Sequence, residues 1–261
     1  MQTKDIQGKL WSTAPEHWSV FFEPFFLPLY KKALEQLNLS EDTLLLDAGC
    51  GSGMFAYMAI NTGADVTGID AAPGLLEVAR QRNPGYNFLE EEIEALPFAS
   101  DSFDVVSGFN SFQYAGNVTG ALAEAKRVLK PGGKLVIGIW DKPGKSDATN
   151  VLKAISTLLP APPPGTPGPF ALSEDGAIEN ILEPLRMKLV YKTAVSCPFI
   201  YYSLQNGMNS FMGTGPAAAA MNRVHKEEVQ RVIAGALQPY HITEELYHLQ
   251  NSFLLFIAEK I

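Results

Sequence analysis

From Leu44 to Trp140 the sequence swings between short apolar runs and stretches whose apolar residues recur three or four apart. That alternation predicts an α/β fold, because parallel strands need a long crossover between them and a helix is the usual one. Residues 44–49, 65–70, 86–92, 103–111 and 134–140 read as strands. Residues 54–62 and 73–82 read as helices, with Pro73 at a first helical position. Asn117 can cap a further helix that carries Val118, Leu122, Ala125 and Leu129 on one face, and Pro131-Gly132-Gly133 stops it.

The flanks have a different texture. Residues 15–38 are rich in aromatics, and Phe26, Leu29, Tyr30, Ala33 and Leu37 form a helical stripe. Six prolines between Pro160 and Pro169 predict a loop or lid. A helix can start at Ser173, and residues 185–196 and 252–261 suit two more strands, with a helical segment over about 203–239 between them. The expected units are a helical lid (1–40), a core (41–145), a proline-rich loop with a helix and sixth strand (146–200), a helical insert (201–249) and a last strand (250–261).

Composition narrows the function classes. A chain of 261 residues with 46% apolar content buries a substantial core. A formal net charge of -8 and the absence of any Lys/Arg run argue against nucleic-acid binding, which needs a basic surface. No apolar run approaches the roughly 20 residues of a membrane helix, and the first residues do not resemble a signal peptide. With two cysteines, Cys50 and Cys197, no disulfide framework is expected, and a reducing cytoplasm is the simplest home. No metal-ligand constellation is expected at a strand end.

The chemistry concentrates where the first strand ends. Gly49, Gly51 and Gly53 stand at every second position behind Asp47. A strand, a glycine-rich turn and a helix N-terminus make a cradle for a polar or anionic ligand. A dinucleotide site needs its third glycine at position 54, which is Met54; the third glycine here is Gly53. An NAD(P)-dependent oxidoreductase is therefore the weaker alternative.

The order Asp47-x-Gly49-x-Gly51-x-Gly53 resembles the first motif of the class I S-adenosylmethionine-dependent methyltransferases. Further motifs extend the resemblance: Asp70 closing the second strand, "EEIEALPFASDSFDVV" at 91–106, and "EAKRVLKPGGKLVIGIW" at 124–140. It implies a Rossmann-like core with a mostly parallel seven-stranded sheet, and S-adenosylmethionine as cofactor. It implies that Asp47, Gly49, Cys50, Gly51, Gly53, Asp70, Ala71, Glu92, Ile93 and Asn110 meet that cofactor. Asp70 would take the ribose hydroxyls, while Glu92 stands where relatives carry Asp. Cys50 reads as a small packed residue, not a nucleophile.

"GFNSFQYAG" at 108–116 lacks the N-P-P-Y of methyltransferases that act on base amines and glutamine amides. The chain looks most like the group with the quinone C-methyltransferases and small-molecule N- and O-methyltransferases. A small, partly apolar or aromatic acceptor is therefore expected, against Trp11, Trp18, Gln113, Tyr201, Phe211 and Met212. His17 is the candidate base should the acceptor have a proton to lose. A silent S-adenosylmethionine-binding protein is the remaining alternative, and the oligomeric state stays open.

Overall fold

A computed structural model describes residues 3–161, 168, 170–243 and 245–261. Most of the proline-rich stretch lies outside them. The chain starts with α1 (Thr3–Trp11), the short α2 (Pro15–His17), irregular helical turns through Phe26, and α3 (Leu27–Gln36). The alternating core follows: β1 (Leu44–Ala48), α4 (Met54–Ile60), β2 (Asp65–Asp70), α5 (Pro73–Arg82), β3 (Asn87–Glu90), β4 (Phe103–Phe109), α6 (Val118–Val128) and β5 (Leu129–Trp140). Then come α7 (Ala148–Ser156), α8 (Ala177–Leu182), β6 (Met187–Ser196), β7 (Phe199–Tyr201), α9 (Leu204–Met212), α10 (Gly215–Met221), α11 (Lys226–Leu237), β8 (His241–Thr243), β9 (Leu246–Leu249) and β10 (Ser252–Lys260).

Seven strands form the main sheet in the order β3-β2-β1-β4-β5-β10-β6. The first five run parallel, and β10 is antiparallel to both neighbours. Side chains alternate across the sheet. Leu45, Val66, Val105 and Val136 pack with α3, α4 and α5, while Leu46, Ile69, Val106 and Ile137 pack with α6 and α8 on the other face. Strand order reverses between β1 and β4, and an open parallel sheet is splayed at the carboxyl ends of the strands there.

Three expectations are corrected in detail. Helix α6 ends at Val128, before Pro131, because Leu129 is already extended and pairs with Phe103. The third strand stops at Glu90: its last ladder partner is Asp70, and the chain then turns away from the sheet. The insert between the last strands is not wholly helical. It carries a second sheet, β7-β9-β8, whose three- and four-residue strands are too short to show a period in the sequence.

Candidate functional site

The turn after β1 is built from left-handed backbone. Gly49, Gly51 and Gly53 have φ of 79°, 53° and 75°, a region that a Cβ disfavours. A Cβ on Gly49 would stand 2.3 Å from the Ser111 Cβ. Gly53 caps α4, packed on Ala79 and Asn83. Asp70, at the end of β2, accepts the N–H of Gly51 and of Ala72, both at 2.8 Å. Burial raises its pKa, against the lowering by these N–H groups. The backbone N–H of Ala71 acts in the same direction, and Asp70 lines the cleft described below.

Asp47 lies under the turn at 2% exposure. The Ser107 hydroxyl donates to it at 2.8 Å, and burial pushes its pKa up to about 7. A second buried carboxylate, Glu23, reaches the turn from the N-terminal segment. It accepts from the Ser52 hydroxyl and, at 2.6 Å, from the Arg82 guanidinium. Arg82 also donates to the Ser52 carbonyl at 2.9 Å. Glu23, too, is raised in pKa by burial, an effect that Arg82 opposes.

A cleft of about 650 Å³, open mouth included, lies over the glycine turn and the ends of β1, β2 and β4. Gly49, Gly51, Asp70, Ala71, Glu92, Ile93, Asn110, Trp11 and Trp18 line it together. Its roof is α1, which turns Lys4, Gln7 and Trp11 inward, residues spaced for one helical face. The roof is docked at several points. The Lys4 backbone N–H donates to Glu92 at 2.9 Å and its ammonium to the Glu90 carbonyl at 2.8 Å. Ser12 accepts the N–H of Gly74, and Gly8 lies so close to Ala71 that a Cβ would stand 2.2 Å from its carbonyl oxygen.

A second cavity of about 300 Å³, open mouth included, adjoins the first. Trp11, Trp18, Asn110 and Tyr114 line both. Phe22, Phe26, Trp140, Leu152, Thr214 and Pro216 complete the second, so no charged side chain among the described residues lines it. Its rings pack edge to face, Trp11 on Trp18 at 4.9 Å and on Tyr114 at 5.5 Å between centroids, while Trp18 stacks on Phe22 at 5.0 Å. Burial pushes the Tyr114 hydroxyl up to about 12, so at neutral pH it is a donor and not a base.

The structure sets the remaining sequence candidates apart from these cavities. Tyr201, Phe211 and Met212 are core: large apolar side chains in the insert fill its own interior, and the Tyr201 hydroxyl donates to Ser210. Thr214 and Pro216, a few residues on, face the cavity instead. Gln113 lines neither cavity; it donates to the Asn110 amide oxygen at 3.1 Å. Cys50 is buried against Gly68. His17 packs on Phe21, has its pKa lowered by burial and by Lys226, and lines neither of the two cavities. Lys4, Gln7, Ser111, Tyr114 and the Glu23–Arg82 pair are the residues that reading the sequence missed. A clue existed only for α1, where Lys4, Gln7 and Trp11 keep helical spacing.

Residues 46–137 match the family model described as "Methyltransferase domain". A malonyl-[acyl-carrier protein] O-methyltransferase of Serratia marcescens is 41% identical over 92 residues, 35% of this chain and 36% of that protein. A demethylmenaquinone methyltransferase of Tropheryma whipplei is 35% identical over 115 residues, 43% of this chain and 48% of that protein. The chain thus spans less than half the length of these curated relatives. Among solved structures, a putative methyltransferase from Bacillus halodurans shares the fold with a TM-score of 0.59 at 18% identity, covering 88% of this chain and 98% of the other.

Proposed function

We propose that residues 46–137, which match the methyltransferase domain family, work as a class I, S-adenosylmethionine-dependent methyltransferase, and that the chain methylates a small, uncharged, largely aromatic or apolar molecule. The observation that carries this reading is the pair of neighbouring cavities, one over the glycine turn and one walled by aromatic rings, sharing Trp11, Trp18, Asn110 and Tyr114. When bound, S-adenosylmethionine supplies an activated methyl group on a sulfonium sulfur. The residues fit such a ligand: the bare glycine turn lets it approach the backbone, and Asp70, a carboxylate that lines the cleft, can accept from the ribose hydroxyls. Glu92 and Ile93 sit at the adenine end of the same cleft in this reading.

The protein's work is then positioning. Holding two reactants in line in a site shielded from water provides most of the gain available to a displacement of this kind. Trp18 and Tyr114 form the seam between the cavities, and the Tyr114 hydroxyl orients an acceptor oxygen as a donor. The dinucleotide reading finds no support, since Gly53 serves α4 as its cap and Met54 follows it. An aromatic cavity beside the cleft also speaks against a silent binding protein. Among the described residues no helix is long and apolar enough to cross a membrane. A cytoplasmic enzyme that does not engage nucleic acid is the setting we propose, with the net charge of -8 in support.

Calorimetry with S-adenosylhomocysteine and with NADH tests the cofactor, and its release from S-adenosylmethionine across an acceptor panel tests the activity. Losing charge-assisted hydrogen bonds in a half-buried site costs about 2–3 kcal/mol, so Asp70→Ala should weaken S-adenosylhomocysteine roughly 30- to 150-fold. Unchanged affinity would leave Asp70 as a brace for the glycine turn alone.

A further inference from the structure

Three residues that line the cleft each carry a buried polar atom with no hydrogen-bond partner in the protein: the Trp18 indole N–H, the Asn110 amide N–H₂ and the Ser111 hydroxyl. Buried polar groups are almost always paired, so three orphans in one cleft point to a ligand group that pairs them. All three sit at the glycine turn. The Trp18 nitrogen lies 3.4 Å from where a Gly51 Cβ would stand, with the Glu23 Oε1 3.6 Å from that point, and the Ser111 oxygen lies 3.0 Å from the same point on Gly49. Asn110 precedes Ser111 in left-handed backbone, φ 51°, at the end of β4.

The chemistry of the set is one-sided. An indole N–H only donates, the amide oxygen of Asn110 is already engaged by Gln113, and a hydroxyl donates readily. Their natural counterpart is an anionic oxygen pair. Lys4 is the one cation among the described residues lining the cleft, and its ammonium is held at the Glu90 carbonyl, at the β3 end.

Resting on the cofactor reading above, we infer that Trp18, Asn110 and Ser111 bind the carboxylate of the amino-acid end of the S-adenosyl ligand. Neutral donors thus do what an arginine or lysine would otherwise do. The inference moves Trp18 from an acceptor wall alone to both ligands. Its N–H faces the glycine turn, while its ring stacks on Phe22 in the second cavity. A cofactor lacking its amino-acid end would leave these donors unpaired.

The test compares two ligands by calorimetry on the full chain: S-adenosylhomocysteine, and 5′-methylthioadenosine, which keeps the nucleoside thioether and lacks the carboxylate. Trp18→Phe retains the ring and removes the N–H; Ser111→Ala removes one hydroxyl with little risk to folding, and thermal unfolding checks both. Each variant is expected to weaken S-adenosylhomocysteine about 10-fold, and to change 5′-methylthioadenosine less than about twofold. Equal losses for both ligands, or no loss for either, overturn the assignment. If the wild-type chain binds neither ligand, the cofactor reading falls and this inference with it.

Discussion

Asp47 occupies the middle of the sheet, with β2 on one side and β4 on the other, so its charge has almost no access to water. The Ser107 hydroxyl donates to it. The folded chain therefore holds a proton on Asp47 up to about pH 7, whereas an unfolded aspartate releases it near 3.8. The sign follows directly. Between those values the native state binds more protons than the unfolded state, so the contribution of Asp47 to stability is full below 3.8 and is lost as pH rises to about 7. Asp47→Asn removes the titration and keeps a group that can accept from Ser107. Relative to wild type, its Tm should be higher at pH 8.5 than at pH 5.5, by on the order of 3 °C or more. A pH-independent difference between the two proteins would show that Asp47 stays ionised in the fold.

At the scale of elements, α1 matters most, because it is both helix and roof. Gly8 in its middle lowers helix propensity, yet it is what lets the helix settle on the Ala71 carbonyl. Gly8→Ala sets these effects against each other: about 1 kcal/mol gained in the helix, against a contact 2.2 Å deep in backbone. The contact should win. S-adenosylhomocysteine should dissociate several-fold faster, and limited proteolysis should cut the N-terminal segment sooner, although the helix alone has become more stable. The same contrast explains what could be read in advance. The strands and helices of 44–140 were legible because period and turn residues are local, and Gly49, Gly51 and Asp70 because a backbone turn dictates them. The second sheet was not, since strands of three and four residues carry no pattern. Nor was the core role of Phe211 and Met212, because aromatic richness looks the same in a cavity wall and in packed interior. The orphaned donors of the cleft only become visible once β4 and the N-terminal segment are brought to the same turn.

Across the whole molecule, the N-terminal segment is tied to the core by a charge that has little other reason to be buried. Glu23 and Arg82 are 59 positions apart in sequence, and their pairing fastens the segment to both the glycine turn and α5. Glu23→Ala leaves a partly buried guanidinium without its counterion, which costs about 3–5 kcal/mol. For a chain of this length that lowers Tm by on the order of 10 °C. Thermal unfolding measures it; a change within about 2 °C would mean that water serves Arg82 as well as Glu23 does. Glu23→Gln, which keeps the Ser52 and Arg82 hydrogen bonds, should lose less.

Trp11 stands on the roof and faces both cavities, which has a consequence for traffic through the molecule. An occupant that leaves through the roof needs α1 to lift from Glu92 and Ala71, and lifting it also withdraws one wall of the second cavity. One door then serves two rooms. Residence time becomes a property of the helix rather than of the guest, so chemically unlike occupants leave at similar rates, and a spent cofactor and a finished product exit in the same opening.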